Sequence, residues 1–100
     1  MLWAISRVYK PNAAEGRAAA VDAHRSYLHS QKGILVLSGQ TQSDDGAEAI
    51  GTLFIVNVNT RAEAEAFING DPFTQAGLLS SITITRMRKG LWNPEVMDAA

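Results

Sequence analysis

The sequence contains no cysteine, which excludes disulfide bonds, thiolate metal sites and cysteine nucleophiles. It also has no surplus of either charge, because nine basic residues oppose ten acidic ones. A chain with so small a net charge has no global field that would recruit nucleic acid or anionic lipid. We therefore expect no nucleic-acid partner and no membrane partner, and a small neutral or anionic ligand fits better.

Long apolar runs are absent as well. No segment approaches the roughly 20 residues that a membrane-spanning helix needs, and the start M-L-W-A-I-S-R-V lacks the features of a signal peptide. We therefore expect a cytoplasmic protein. Apolar residues make up 46% of the 100 residues and are spread along the chain, which predicts one globular domain that folds without covalent cross-links.

Strands and helices are predicted from the spacing of apolar residues. Four segments rich in branched and aromatic residues are predicted strands: 2–9, 34–39, 50–58 and 81–88. Apolar positions at helical spacing predict a first helix over residues 13–32, ended by Gly33. Thr60 and Glu63 form a capping box for a second helix, which is predicted to stop at Asn69-Gly70.

Asp71 and Pro72 together are typical of a new N-cap followed by a first helical residue, so one further helical turn is expected. The resulting order is strand, helix, strand, strand, helix, strand. This order predicts an α+β domain of the ferredoxin-like kind, with two helices on one face of a four-stranded antiparallel sheet. We assign residues 1–90 to this domain and residues 91–100 to a C-terminal tail.

The predicted strands carry apolar residues on both faces. In the first strand Leu2, Ala4 and Val8 alternate with Trp3, Ile5 and Tyr9, and in the third strand Leu53 and Ile55 alternate with Phe54 and Val56. Two helices can cover only one face of such a sheet. An apolar face of this size needs a cover, and a second copy of the chain is the simplest one, so we expect a homodimer through the open face.

Two polar residues lie on the side of the first helix that should be buried. At about 100° per residue, His24 and Arg17 fall near the middle of the apolar arc, two turns apart. One interpretation is a core histidine with satisfied nitrogens and an arginine that reaches solvent past its neighbours. The other is a pocket in which His24 exchanges protons and Arg17 holds an anion.

Asp71 also admits two interpretations. An aspartate before proline at a helix start is an ordinary cap. However, Asp71 follows the second helix, and in this topology the two helices lie side by side on one sheet face, so contact with His24 is possible. Such a contact would fix the tautomer of the imidazole and raise its basicity.

Several segments resemble the YCII-related family. They are M-L-W-A-I, A-H-R-S-Y-L, L-V-L-S-G, G-T-L-F-I-V, the long segment E-A-E-A-F-I-N-G-D-P-F-T-Q-A-G-L, and I-T-I-T-R-M-R-K-G. The resemblance implies a dimeric α/β barrel with two sheets packed face to face, and a His-Asp dyad in a cleft, here His24 and Asp71. It also implies possible activities: some relatives are cofactor-independent dehydrochlorinases of chlorinated hydroxyhydroquinones, and the wider superfamily includes lactone isomerases and cofactor-free oxygenases.

The chain departs from the family at one point. Family members commonly carry an R-P-x-H pattern, whereas this chain has Val21-Asp22-Ala23-His24. A cationic group is therefore missing from the pocket wall, and an anionic substrate would rely on Arg17. Ser38 and Gly39, at the end of the second strand, are candidate cleft residues, with a hydroxyl that could bind a ligand.

Two functions follow as hypotheses. The first is a cofactor-independent enzyme in which His24 is the general acid or base, Asp71 orients it and Arg17 holds an oxygen anion, for elimination or isomerisation of a small ring or unsaturated acid. The second is a non-catalytic dimer that binds a small ligand or a partner. We expect no cofactor and no metal site, because His29 lies on a different helix face from His24.

Overall fold

The computed structural model describes residues 1–97, so the last three residues of the predicted tail lie outside it. Its elements, in chain order, are β1 Leu2–Tyr9, α1 Ala14–Ser30, β2 Leu35–Gln42, β3 Ala49–Asn57, α2 Arg61–Gly70, α3 Pro72–Gln75, β4 Leu79–Met87 and a short 3-10 helix Pro94–Val96. The predicted order of strands and helices is confirmed.

The four strands form one antiparallel sheet in the spatial order β2-β3-β1-β4. Ile5 of β1 lies opposite Phe54 of β3 on one side and Ile84 of β4 on the other. The helices cover the face that carries these residues. The main core joins that face to α2 and consists of Trp3, Ile5, Phe54, Val56, Val58, Ala64, Phe67 and Ile68. This is the predicted ferredoxin-like arrangement.

Helix α1 ends at Ser30, two residues before its predicted end. The backbone N–H of Gln31 donates to the carbonyls of both Tyr27 and Leu28, which tightens the last turn. Gly33 is not among the glycines with a positive φ, so it lies in the following turn and does not act as a left-handed cap.

The start of α2 follows the capping box, and the helix ends at Gly70, where the sequence predicted its stop. Thr60 Oγ1 accepts a hydrogen bond of 3.1 Å from the Glu63 amide, and Glu63 Oε2 accepts one of 3.2 Å from the Asn59 amide. Gly70 is the last residue of the helix, and the chain leaves through an extended Asp71. That residue then caps α3, as predicted.

Two strands are longer than predicted. Strand β2 continues to Gln42, because its polar end remains paired with β3 as far as Ala49. Strand β4 begins at Leu79, opposite Tyr9. Backbone pairing sets these limits, and it does not need the apolar side chains from which the strands were predicted.

The face of the sheet away from the helices carries exposed apolar side chains, as the alternation predicted. Val8 is 42% exposed, Leu53 36% and Met87 37%. They come from β1, β3 and β4, so the apolar surface extends across three of the four strands. None of the helices in the described part of the chain has the length and apolar composition needed to cross a membrane.

Gly51→Ala should destabilise the sheet, because the added Cβ would overlap the backbone carbonyl oxygen of Arg7 in the paired strand. Overpacking of this kind costs about 1–3 kcal/mol or more, which a urea unfolding curve would measure. Gly33→Ala is the control, since nothing lies within 4 Å of its added Cβ. Equal unfolding midpoints for the two variants would contradict the pairing of β1 with β3.

Candidate active site

His24 is the one buried residue of helix α1. Its ring lies parallel to that of Phe73, with 3.9 Å between the ring centroids and 1° between the planes. Phe73 belongs to α3, whose position after α2 is set by the Asp71-Pro72 start. The stacking therefore fixes the plane of the imidazole between two helices.

Asp71 contacts His24 directly. The Asp71 Oδ1 atom lies 2.7 Å from His24 Nδ1, and the carboxylate is fully buried. The same oxygen accepts a hydrogen bond of 3.2 Å from the backbone amide of Phe73. Asp71 is thus both the N-cap of α3 and the partner of the histidine, so its two interpretations from sequence describe one structure.

Arg7 is a third member of this network, and sequence reasoning missed it. Its Nη2 lies 2.7 Å from Asp71 Oδ2, and both side chains are fully buried. Arg7 Nε donates to Thr52 Oγ1 and Nη1 donates to Thr74 Oγ1, each at 2.8 Å. The guanidinium also lies over the ring of Phe54, 5.1 Å from its centroid.

A signal for Arg7 exists in the sequence. Residues of β1 alternate between the two faces, and Arg7 shares the helix-covered face with Trp3, Ile5 and Tyr9. An arginine in an apolar series implies a buried anionic partner, because an isolated buried charge is very costly. The alternation alone, however, does not identify Asp71 as that partner.

Asp71 is ionised for identifiable reasons. Burial alone would raise the pKa of its carboxyl, but the hydrogen bond from His24 and the charge of Arg7 outweigh this effect, so the pKa is lowered. Burial lowers the pKa of Arg7, and the charge of Asp71 opposes that shift. Arginine is so basic that the guanidinium still stays protonated.

The charge state of Asp71 determines the tautomer of His24. An ionised carboxylate only accepts hydrogen bonds, so Nδ1 of the imidazole must carry the hydrogen in the 2.7 Å contact. When the ring is neutral, its lone pair is therefore on Nε2. This nitrogen can accept a proton from a molecule beside the ring.

A cavity of about 460 Å³ lies beside His24, between α1 and the edge of the sheet formed by β2 and β3. This volume lies within the usual range of small-molecule sites. Apolar and aromatic walls include Tyr9, Phe54 and Phe73. Polar side chains border the cavity from α1, with Arg17 and Arg25, and from β2, with Ser38 and Gln40.

The other predicted site residues line the same cavity. Ser38 and Gly39 lie on its β2 side, and Arg17 lies on its α1 side. The guanidinium carbon of Arg17 is 4.6 Å from the centroid of the Tyr9 ring. Its Nε is buried and has no hydrogen-bond partner in residues 1–97. Arg17 is thus a half-buried cation with an unused donor at the cavity wall.

His29 is exposed and does not line this cavity. Residues 1–97 contain no group of three or more histidine, aspartate or glutamate side chains placed to hold a metal ion.

Sequence comparison identifies the family. The model of the YCII-related domain matches residues 1–88. The chain belongs to the YCII-related family. The match covers all four strands and both longer helices, and ends shortly after Met87. No curated protein matches the sequence at a significant level.

Solved structures with the same architecture include three informative neighbours. One is 5-chloro-2-hydroxyhydroquinone dehydrochlorinase (TftG) from Burkholderia phenoliruptrix AC1100, in complex with 2,5-dihydroxybenzoquinone. Its TM-score is 0.82 and its sequence identity is 29%, and the alignment covers 90% of this chain and 96% of that one. An antibiotic biosynthesis monooxygenase has a TM-score of 0.53 and 15% identity, covering 91% of this chain and all of that one. Protein Atu4242 from Agrobacterium tumefaciens has a TM-score of 0.54 and 21% identity, covering 94% and 98%. The fold of the YCII-related chain is of the dimeric α/β barrel type.

Asp71→Asn should reduce the acid sensitivity of this YCII-related protein. Because the folded-state pKa of Asp71 is lowered, its charge stabilises the fold fully above the unfolded pKa of about 3.9. That stabilisation is lost as the pH falls through the lower folded value. Urea unfolding from pH 7 down to pH 2 should show a shallower loss of stability in the variant.

The same substitution should also lower stability at pH 7 by about 3–5 kcal/mol, because it leaves the Arg7 guanidinium buried without its anion. Asp22→Asn, on the exposed side of α1, is the control and should match the parent. Parallel pH profiles for parent and Asp71→Asn would contradict the ion pair.

Proposed function

We propose that this YCII-related protein is a cofactor-independent enzyme that performs acid–base chemistry with His24 on a small cyclic or unsaturated acid, by elimination, as in dehydrochlorination, or by isomerisation. The observation that carries the proposal is the 2.7 Å contact between His24 and a buried Asp71 beside a cavity of ligand size. A general base must lie within reach of the proton it removes, and His24 is the imidazole that borders this cavity.

In this proposal His24 Nε2 removes a proton from the bound substrate. Asp71 holds Nδ1–H at 2.7 Å, which keeps the lone pair on Nε2 and stabilises the imidazolium that forms. Phe73 supports the ring from one face. The same imidazolium then returns the proton, either to another substrate atom in an isomerisation or to solvent after an elimination.

Arg17 is proposed to bind an oxygen anion of the substrate. Its buried Nε lacks a partner among the described residues, and stacking on Tyr9 holds the guanidinium at the cavity wall. A charge-assisted hydrogen bond to a carboxylate or phenolate oxygen would use this donor. Ser38 and the backbone at Gly39 border the opposite side of the cavity and are proposed to contact the substrate there.

The elimination balances without an oxidant. In the loss of HCl from a chlorinated hydroxyhydroquinone, one hydroxyl proton moves to the chlorine-bearing ring carbon to give a keto tautomer, and a second hydroxyl proton goes to His24. Chloride then leaves with the electrons of the C–Cl bond, and a hydroxyquinone remains. The protein must therefore supply only a base, an anion-binding group and an enclosed cavity. A dehydrochlorinase of this substrate type is a structural neighbour, and its complex contains a dihydroxybenzoquinone.

His24→Ala should lower kcat for chloride release from 5-chloro-2-hydroxyhydroquinone by about 10²- to 10⁴-fold, the usual contribution of a general base. The matched control is His29→Ala, which removes the other histidine of the same helix outside the cavity and should leave kcat unchanged. Circular dichroism would check that both variants fold.

A contradicting result would be a parent protein that binds 2,5-dihydroxybenzoquinone in the cavity but neither releases chloride nor isomerises small unsaturated lactones. That result would replace the enzyme with a binding module. Equal losses of kcat in the two histidine variants would exclude His24 as the base.

We also propose that the protein is a homodimer through the face of the sheet opposite the helices. Leu53 from β3 lies opposite Ser6 of β1 and Gly39 of β2 on that face, and the exposed side chain of Val8 lies two residues beyond Ser6. Contiguous exposed apolar surface is characteristic of protein interfaces. Two such faces placed together would form the packed double sheet from which the fold type takes its name.

Leu53→Lys should dissociate the dimer, because it places a charge in the apolar contact without touching the core under the helices. Sedimentation equilibrium should give twice the mass of 10.8 kDa for the parent and the single mass for the variant. Ala66→Lys, on the exposed side of α2, adds the same charge elsewhere and should stay dimeric. A monomeric parent would contradict the proposal.

A further inference from the structure

We propose that Arg7 is a positioning residue of the site: its fixed positive charge neutralises Asp71, so that His24 acts as a neutral base and is not held as an imidazolium by the carboxylate. The inference rests on the acid–base role proposed for His24. It adds a buried charged residue of β1 to a site to which that strand otherwise contributes the ring of Tyr9.

The position of Arg7 is determined by its contacts. Nη2 pairs with Asp71 Oδ2 at 2.7 Å, while Nε and Nη1 each donate at 2.8 Å to a threonine hydroxyl, on Thr52 and Thr74. Thr74 in turn donates to the Ile68 carbonyl at 2.7 Å. A fully buried guanidinium with all three nitrogens engaged is not free to bind a substrate. Arg7 therefore acts through Asp71.

The two oxygens of Asp71 divide its partners. Oδ2 faces Arg7, whereas Oδ1 accepts from His24 Nδ1 and from the Phe73 amide. Arg7 and Asp71 together carry no net charge, so protonation of His24 adds an uncompensated charge to a buried site. Without Arg7, the carboxylate would have only the imidazolium as its counter-ion, and the proton would be held more tightly.

Other charged or titratable groups near His24 do not replace this effect. They are Tyr9 from β1 and Arg17, Arg25 and Tyr27 from α1. The β2 and β3 residues that line the cavity, Ser38, Gly39, Gln40, Thr52 and Phe54, carry no ionisable group. Arg17 and Arg25 are cations at the cavity wall, but neither is paired with Asp71 in the described residues. Variants at position 7 leave all of these groups in place.

A charge effect of Arg7 and a purely structural role have different consequences. If Arg7 only filled space and joined strands to α3, any substitution would lower stability and leave the titration of His24 unchanged. If its charge acts on the Asp71–His24 pair, removal of that charge must move the titration, and a lysine must restore it. The two roles therefore predict different pH profiles.

The experiment compares Arg7→Gln with Arg7→Lys by NMR titration of the histidine resonances in the full chain. The chain has two histidines, so the His24→Ala spectrum assigns them, and exposed His29 serves as the internal reference. Arg7→Gln should raise the titration midpoint of His24 by about one pH unit or more, because the Asp71 carboxylate would then have the imidazolium as its only counter-ion. Arg7→Lys should stay near the parent.

Thr74→Val is the control for the structural role. It removes one hydroxyl partner of Arg7 at nearly constant volume and keeps the charge, so it should lower stability without moving the titration midpoint. In turnover assays, the acid limb of the kcat/KM profile should move upward with Arg7→Gln only. Equal midpoints in the parent and Arg7→Gln, or equal shifts in the Gln and Lys variants, would overturn the inference.

A second comparison applies if Arg7→Gln does not fold. Removing both members of a buried ion pair is tolerated better than removing one, so the double variant Arg7→Gln/Asp71→Asn is compared with Asp71→Asn alone. His24 should titrate at a higher pH in the double variant than in Asp71→Asn. Equal titration midpoints in the two variants would overturn the inference. These titrations use the free protein, so they distinguish a failure of the Arg7 inference from an absence of turnover.

Discussion

The site, and the packing of the three elements around it, depend on the contacts of the buried Asp71 carboxylate. It forms an ion pair with Arg7 in β1 and accepts hydrogen bonds from the ring of His24 in α1 and from the backbone of Phe73 in α3. Three elements that are distant in sequence thus meet at one side chain. Any change in its charge alters the sheet, the longer helix and the short helix together.

This network contributes orientation more than net stability. A buried ion pair gains little over apolar side chains of similar size, although breaking it is costly. Here the cost of removing Arg7 and Asp71 from water is offset by the ion pair between them, by the hydrogen bonds from Arg7 to two threonine hydroxyls and by the hydrogen bonds that Asp71 Oδ1 accepts. Because these bonds leave Asp71 no alternative position, the imidazole that it holds is also fixed.

Local patterns in the sequence predicted the parts of the structure that depend on neighbouring residues. Thr60 and Glu63 revealed the start of α2, and Asp71 with Pro72 revealed α3. The helical arc placed His24 toward the sheet, and topology placed Asp71 within its reach. The pairing with Arg7 joins residues 64 positions apart, and no spacing rule selects one carboxylate for a buried arginine. The predicted end of α1 was two residues too late, because the helix closes at Ser30 and Gly33 lies in the turn that follows.

The sheet has the helices and the cavity on one side and its uncovered apolar residues on the other. Ser38 faces the cavity side of β2, while Leu53 of β3 faces away from it. Residues proposed to contact a ligand and residues proposed to contact a second copy of the chain therefore alternate along the same strands without sharing a surface. Substitutions on the cavity side of β2 and β3 would therefore alter the cavity and leave the uncovered apolar face as it is.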